Sequence, residues 1–317
     1  MFSKSSQILI TGGAGFLGGH IVNLLHQKGY HNLFIPRSKD FDLREKKICR
    51  QLTQEAEIVI HLAANVGGIG YNRNFPAELF YDNLIMGINL LHESFLSGVK
   101  KFLALGTVCA YPKYTPVPFK EEYLWNGYPE ETNAPYGLAK KMLLVGSQAY
   151  RKQYGFHSIY LLPVNLYGPH DNFKLHQSHV IPSLIKKIYM AKIKSQEDVT
   201  VWGTGTPTRE FLYVEDAAEA IILAMERYDK EEPINIGYGK EITIVALAKK
   251  ISKILKFHGK IKWDKTKPDG QPRRLLNTQK AYQEFGFRAK TSLDDGLNKT
   301  IEWFLQQHAK DNDSKKD

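Results

Sequence analysis

The stretch QILITGGAGFLGGHIVNLLHQKG, Gln7–Gly29, decides the fold. A short apolar run, Gln7–Thr11, reads as a strand, and the apolar residues after Gly19 recur at helical spacing. Between them Gly12, Gly15 and Gly18 stand in a G-x-x-G-x-x-G pattern, with Phe16 and Leu17 opening the helix. The first glycine allows a tight turn. The second lets the backbone approach a pyrophosphate seated on the helix N-terminus, and the third lets helix and strand pack closely. A bare glycine triplet is common in loops. As the first strand-to-helix turn of an alternating pattern, it predicts a dinucleotide site.

Working outward, the alternation continues. NLFIP (Asn32–Pro36), EIVIHLAA (Glu57–Ala64), KKFLALGT (Lys100–Thr107) and SIYLLP (Ser158–Pro163) read as further strands. DNLIMGINLLHESFLSG carries Leu84, Ile88, Leu91 and Phe95 at steps of three and four, and a second helix is expected from Tyr136 to about Tyr154. Strand–helix units repeated in this way predict an α/β fold with a Rossmann-type, doubly wound parallel sheet. After Pro163 the order loosens. VNLYGPHDNF reads as loop, SHVIPSLIKKIYMAK as helix, VTVWG as strand, and EFLYVEDAAEAIILAMERY as a strand end and a helix beginning near Glu215. ITIVALAKKISKILK reads as helix, KIKWD as strand and SLDDGLNKTIEWFLQQH as a closing helix. The expected organisation is a dinucleotide-binding domain over 1–164, with some later segments returning to its sheet, a mainly substrate-binding α/β region over 165–308, and a polar tail over 309–317.

Bulk properties narrow the function classes. The 317 residues are 43% hydrophobic and 24% charged, enough for a sizeable core. No apolar run approaches the roughly eighteen residues of a membrane span, and the N-terminus runs straight into strand pattern, so a cytoplasmic protein is expected, with no membrane partner. Cys49 and Cys109 make no disulfide framework, which fits a reducing compartment. The net charge of +10 is spread along the chain, with mild concentrations at Lys186–Lys194 and Lys249–Lys267. Nucleic-acid binding would favour clustered cations with interleaved aromatics, so an anionic small substrate is the better reading. No metal site is expected.

The second strand ends IPRSKDFDL. Arg37, Ser38 and Lys39, in place of an early acid, favour a 2′-phosphate, hence NADP(H) over NAD(H), with Asp42 and Leu43 following near the adenine. YGLAK sets Tyr136 and Lys140 four apart on one helix face. An ammonium beside the phenol, with an oxidised nicotinamide nearby, favours the phenolate and lets the tyrosine exchange a proton near neutral pH. GTVCAYP (Gly106–Pro112) adds Thr107 and a cysteine two residues on, at the end of the fourth strand. A lone Cys there is more often buried filler than chemistry.

Together these residues resemble the extended short-chain dehydrogenase/reductase superfamily, from Ile8 to about Phe304, with Thr107, Tyr136 and Lys140 matching its Ser/Thr–Tyr–Lys set. The 4,6-dehydratases of that superfamily look like Thr-Asp-Glu where this chain has Thr107, Val108 and Cys109. The thiol instead resembles the GDP-L-fucose synthase family, the GDP-4-keto-6-deoxy-mannose 3,5-epimerase/4-reductases. HLAANVGGIGYN, NLYGPHDNF, SHVIP, VWGTGTPTREFLYV and TKPDGQPRRLL follow in that family's order.

The resemblance implies that Cys109 is the base and His179 the acid of epimerisation. Both types of group titrate within reach of neutral pH. Tyr136 would then protonate O4, with Thr107 and Lys140 stabilising the oxygen, and Lys140 would also hold the nicotinamide ribose. Asn165, Leu166 and His179 would lie beside the cofactor. Arg209 would grip the pyrophosphate of a GDP-sugar, with Trp202 lining the pocket and Asp269 on the nucleotide or sugar side. A homodimer joined through the helices around Leu84–Phe95 and Tyr136–Tyr154 is a family expectation. Three positions depart from the pattern: Lys187 stands where arginine is usual, Ala14 where some members carry a basic residue, and Thr107 where serine is more frequent. Two alternatives stay open: a C4-reductase of another GDP-4-keto sugar, such as a heptose, and a non-catalytic NADP-binding regulatory protein.

Overall fold

The computed structural model describes residues 2–175 and 177–313. The chain opens with β1 (Ile8–Thr11), α1 (Phe16–Gln27), β2 (Leu33–Phe34), α2 (Lys46–Thr53) and β3 (Ile58–His61). It continues through α3 (Ile69–Asn74), α4 (Pro76–Leu96), β4 (Lys101–Leu105), α5 (Ala134–Tyr154) and β5 (Ser158–Pro163). The second half holds β6 (Asn165–Tyr167), α6 (Val180–Ile193), β7 (Asp198–Trp202), β8 (Thr208–Tyr213), α7 (Val214–Arg227) and β9 (Ile234–Ile236). Last come β10 (Glu241–Thr243), α8 (Ile244–Leu255), β11 (Lys260–Asp264), α9 (Gln279–Phe285) and α10 (Leu293–Asp313).

The main sheet has the order β2-β1-β3-β4-β5-β9 and every pairing in it is parallel. All its strands but the edge strand β2 are buried along their length, Ile8–Thr11 and Ile58–His61 among them, because helices cover both faces. The doubly wound parallel sheet expected from the sequence is therefore present. Around it lies a core that also takes Leu212, Ile221, Ile234, Ile236, Leu276 and Phe285 from the second half of the chain. A second core, built on Tyr167, Ile185, Phe211, Leu247 and Leu297, fills the remaining lobe. That lobe carries the sheet β10-β8-β6 and the parallel pair β11–β7.

Local chemistry explains the helix that matters most. In α5, Pro135 sits in the first turn, where its missing N–H costs nothing, and Gly155 ends the helix at φ 68°. Tyr136, Ala139, Lys140, Leu143, Leu144 and Ser147 recur at helical spacing and are buried. Each leucine-sized apolar side chain among them adds about 1.5–3 kcal/mol when removed from water. Gly87 of α4 faces Leu143 closely enough that a Cβ would stand 3.1 Å from its Cδ2, so the two long helices pack tightly.

Four sequence expectations are corrected here. VNLYGPHDNF is not all loop, because Asn165–Tyr167 pairs with Phe211–Tyr213 as β6. ITIVALAKK is not helical from its start. Glu241–Thr243 pairs with β8, and the Thr243 hydroxyl then caps α8 by accepting the Ala246 N–H at 3.2 Å. The closing helix runs on to Asp313 through part of the expected tail, and residues 314–317 lie outside the described residues. The stripe Leu84–Phe95 is also rotated. The buried side of α4 is Leu79, Asn83, Gly87, Leu90, Leu91 and Ser94, while Ile88 is exposed.

Candidate active site

The glycine turn is fixed by close approach. Gly12 has φ +75°, and a Cβ there would lie 2.7 Å from the Ala63 nitrogen at the end of β3. A Cβ on Gly18 would lie 2.2 Å from the Gly12 carbonyl oxygen. Beneath the turn, Thr11 and His61 join the ends of β1 and β3 through a 2.8 Å hydrogen bond between hydroxyl and Nδ1. Gly15 caps α1 with no side-chain bond, so the first N–H groups of the helix are left for a ligand, beside the half-buried Phe16 and Leu17. A cradle that any Cβ would fill, at a bare helix N-terminus, fits the pyrophosphate of a dinucleotide. Arg37, Ser38 and Lys39 are exposed just past β2, where they fit a phosphorylated ribose. Asp42 and Leu43 are turned elsewhere. Asp42 accepts from Arg44 through both oxygens, which holds its carboxyl below the usual range, and Leu43 is buried in the first core.

The TVC turn sets the surroundings of Cys109. Thr107 caps the short 3₁₀ turn Val108–Ala110, its hydroxyl accepting the Cys109 N–H at 3.1 Å. Against this turn lies Gly137, where a Cβ would stand 2.4 Å from the Cys109 carbonyl oxygen. The glycine beside Tyr136 therefore lets α5 press its catalytic-type face onto the cysteine's backbone. Tyr160 braces the other side, donating from its hydroxyl to the Lys140 carbonyl at 2.8 Å. Cys109 is only half-buried, unlike Cys49, which is enclosed in the core and donates to the Leu43 carbonyl.

Burial dominates the electrostatics of the phenol. Burial pushes Tyr136 well up, and Cys109 beside it adds to the shift, while a hydrogen bond with Thr107 opposes it. Lys140 is not among the influences on the phenol, and burial pushes Lys140 itself down to about 8. Tyr136 is held protonated, the state required of a proton donor.

The other wall comes from the second lobe. His179 stands immediately before α6, its side chain reaching solvent but set closely about by neighbouring residues. That surrounding and the nearby Arg274 guanidinium hold its imidazole below the usual pKa. Arg209 is pushed down to about 9 by burial and by Arg274, against the pull of Cys109, Asp269 and Glu130. Its Nη2 donates to the Asp269 carbonyl at 3.0 Å. The Asp269 carboxylate does not face open cleft. It accepts the Thr204 N–H and hydroxyl, each at 2.7 Å, and so pins the loop carrying Arg209's anchor to the β7–β8 turn. Trp202 is 50% exposed, with the ammonium groups of Lys187 and Lys267 5.8 and 5.5 Å from its ring centre. Lys187 borders a cavity of about 540 Å³ that Leu175, Met190, Asp198 and Thr200 also line. Half-buried Asn165 and Leu166 lead from β5 into β6.

Three residues that the sequence reading passed over belong to this cleft. Buried Arg274 donates to Gln271 Oε1 at 2.9 Å and to Asn165 Oδ1 at 3.3 Å, with no carboxylate partner among the described residues. Buried Asn133 accepts from the Cys109 thiol at 3.6 Å, and buried Glu130 holds Asn133 in turn. The second of the adjacent arginines in TKPDGQPRRLL was a visible signal. Nothing in PEETNAP distinguished Glu130 or Asn133 from an ordinary polar loop.

A glycine cradle on the first strand–helix turn, with Thr107 capping its turn against the helix that carries Tyr136 and Lys140, fits a nicotinamide-dependent enzyme. Comparison with known proteins agrees. The model of the NAD dependent epimerase/dehydratase family matches residues 8–237. GDP-L-fucose synthase 1 of Arabidopsis thaliana is 42% identical over 308 residues, covering 96% of this chain and 95% of the relative. Among solved structures, the GDP-L-fucose synthetase of Naegleria fowleri bound to NADP is similar at a TM-score of 0.86 and 31% identity, over 98% of this chain and 97% of that one. A GDP-6-OMe-4-keto-L-xylo-heptose reductase from C. jejuni is similar at a TM-score of 0.91 and 28% identity, over 96% and 99%. The chain is an enzyme of the NAD dependent epimerase/dehydratase family and belongs within it to the GDP-L-fucose synthases.

Proposed function

We propose that the protein converts GDP-4-keto-6-deoxy-D-mannose to GDP-L-fucose, by 3,5-epimerisation followed by NADPH-dependent 4-reduction. The observation that carries this reading is the half-buried Cys109 clamped beside a protonated Tyr136, in a family whose 4,6-dehydratase members would need an acid pair in its place. The 4-ketone acidifies C3 and C5. Cys109 takes a proton from each, leaving the pair of electrons on the enolate, and His179 returns a proton to the opposite face. The lowered pKa of His179 makes its imidazolium a readier proton donor.

Tyr136 then donates its phenolic proton to O4, with Thr107 hydrogen-bonded beside it and Lys140 completing the set. When bound, NADPH supplies the hydride for C4. Gly12, Gly15 and Gly18 hold its pyrophosphate with the backbone of Phe16 and Leu17, and Arg37, Ser38 and Lys39 hold its 2′-phosphate. Asn165, Leu166 and Lys140 flank the nicotinamide. Arg209 and Arg274 draw the substrate's charge into the cleft. Lys187 and Trp202 receive the nucleotide, and Asp269 acts through Thr204 as a positioning residue.

The reading includes a cytoplasmic homodimer. Its support is the pair of free thiols and the exposed Phe80, Tyr81, Ile88 and Leu96 of α4 beside Val145 and Tyr154 of α5. The described helices include none long and apolar enough to cross a membrane.

The test is turnover of GDP-4-keto-6-deoxy-mannose with NADPH in D₂O, for the wild type, Cys109→Ser and His179→Gln. Deuterium at C3 and C5 of GDP-L-fucose, reduced in both variants, is expected. A reduced sugar without exchange, indifferent to both substitutions, would overturn the epimerase half. A second reading, C4 reduction of another GDP-4-keto sugar, draws on the likeness to the C. jejuni heptose reductase. Faster turnover of the keto-heptose than of the deoxyhexose would favour it.

A further inference from the structure

Behind Cys109 lies a polar chain that ends on a buried acid. The thiol donates to Asn133 Oδ1 at 3.6 Å, and the Asn72 amide donates to the same oxygen at 3.3 Å. On the other side of the amide, Asn133 Nδ2 donates to Glu130 Oε2, which also accepts from the Thr132 hydroxyl at 2.7 Å. Asn72, Glu130 and Asn133 are all buried. Turning the Asn133 amide over would set its oxygen against the Glu130 carboxylate and its NH₂ against that of Asn72. Both contacts would then be repulsive, so only one orientation is tolerated.

We infer that Glu130 locks Asn133 with its carbonyl toward the sulfur, and that the pair are positioning residues for the epimerisation step. An amide fixed in this orientation accepts a hydrogen bond from the thiol and offers nothing to a thiolate. It therefore accepts a hydrogen bond from the proton that Cys109 has just taken and turns that proton away from the substrate carbon. Without the lock the captured proton is free to return to the face it left, which is abstraction without inversion. Asn133 also fixes the sulfur's position, since the backbone of the TVC turn is already held by Gly137 and Thr107. The charged and titratable groups facing the sulfur are Tyr136 and Arg209, and Glu130 acts on the same guanidinium. The catalytic consequence rests on the epimerase reading above. The orientation of the amide does not.

The experiment uses full-length wild type, Glu130→Gln, Asn133→Ala and the double variant, with two readouts. The first is alkylation of Cys109 by iodoacetamide across pH, followed by peptide mass, with enclosed Cys49 as the internal control. In Glu130→Gln the new side chain keeps the shape but can turn its own amide, as can Asn72, whose Oδ1 is buried without a hydrogen-bond partner, and this frees Asn133 to donate to the sulfur. Alkylation at neutral pH should then rise by about fivefold to tenfold, with its profile moved to lower pH. The same change in the Asn133→Ala background should do nothing, an outcome that a general loosening of the fold would not give.

The second readout is the ratio of C3/C5 inversion to 4-reduction, expected to fall about tenfold in Glu130→Gln and Asn133→Ala. Alkylation within about twofold of wild type in a folded Glu130→Gln, or an equal effect with Asn133 absent, overturns the lock. Inversion and reduction falling together overturn its link to epimerisation. A wild type that alkylates as expected yet never exchanges C3 or C5 defeats the epimerase reading and leaves the lock standing.

Discussion

The two walls of the cleft are made differently. On the sheet side, Gly12, Gly18 and Gly137 bring backbone against backbone at distances no side chain could share, and the reacting groups are set by the main chain itself. On the opposite side, Lys187 and Arg209 are placed by side-chain hydrogen bonds and stay half open beside the exposed Trp202, with Asp269 and Thr204 as the fastening. The contrast teaches a division of labour. Chemistry needs a fixed geometry, because displacement by about 1 Å can cost a hundredfold in rate. A nucleotide can be held by several adjustable contacts, each worth a fraction of the whole.

Four measurements probe that contrast. The largest effect belongs to Gly137→Ala. The new methyl meets the Cys109 carbonyl, so kcat for GDP-L-fucose formation should fall about a hundredfold. Overpacking should cost about 1–3 kcal/mol, read as a modest drop in Tm. Near-normal kcat would mean that the sheet side yields as easily as the other. Arg209→Ala comes next. Loss of a charge-assisted anchor of about 1.5–3 kcal/mol should raise KM roughly tenfold to a hundredfold and spare C3/C5 exchange at saturation. A fall in kcat with KM unchanged would put Arg209 on the wrong wall.

Asp269→Asn should act more weakly, raising KM by about threefold to tenfold, because an amide keeps only one of the two acceptors offered to Thr204. If Thr204→Ala produced a much smaller rise, Asp269 would touch the ligand directly. The smallest effect is on stability. Lys140 has a folded pKa of about 8 against an ordinary 10.5, so between those values the unfolded chain binds more protons. Its contribution to stability therefore increases as pH rises from about 8 to 10. Relative to wild type, Lys140→Met should lack that increase, seen as a difference of a few degrees in the pH dependence of Tm.

Much of the sheet-side wall was legible in the sequence, because its logic is local. GGAGFLGG lies between a strand and a helix, and YGLAK sets two groups on one helix face. What escaped depends on partners far along the chain. Asn165–Tyr167 is too short to announce a strand and becomes one only against Phe211–Tyr213. Thr243 before IVALAKK was a readable cap, but the pairing of Glu241–Thr243 with β8 was not. The environment of Tyr136 also escaped, because sequence spacing says nothing of burial, which is the largest influence on the phenol. Asp269 was legible as a polar residue of the cleft, not as one whose oxygens are already taken.

The main sheet closes late. Its last strand, β9, begins at Ile234, and the core beneath is sealed by Ala281, Phe285 and Phe287. During synthesis, the edge of β5 is made more than seventy residues before the strand that covers it. Until β9 is made, the edge of β5 is an unpaired, apolar rim of the kind that invites association with other chains. Any truncation that stops short of residue 287 removes part of that closure. The half that reads most clearly in the sequence is the half that cannot finish folding first.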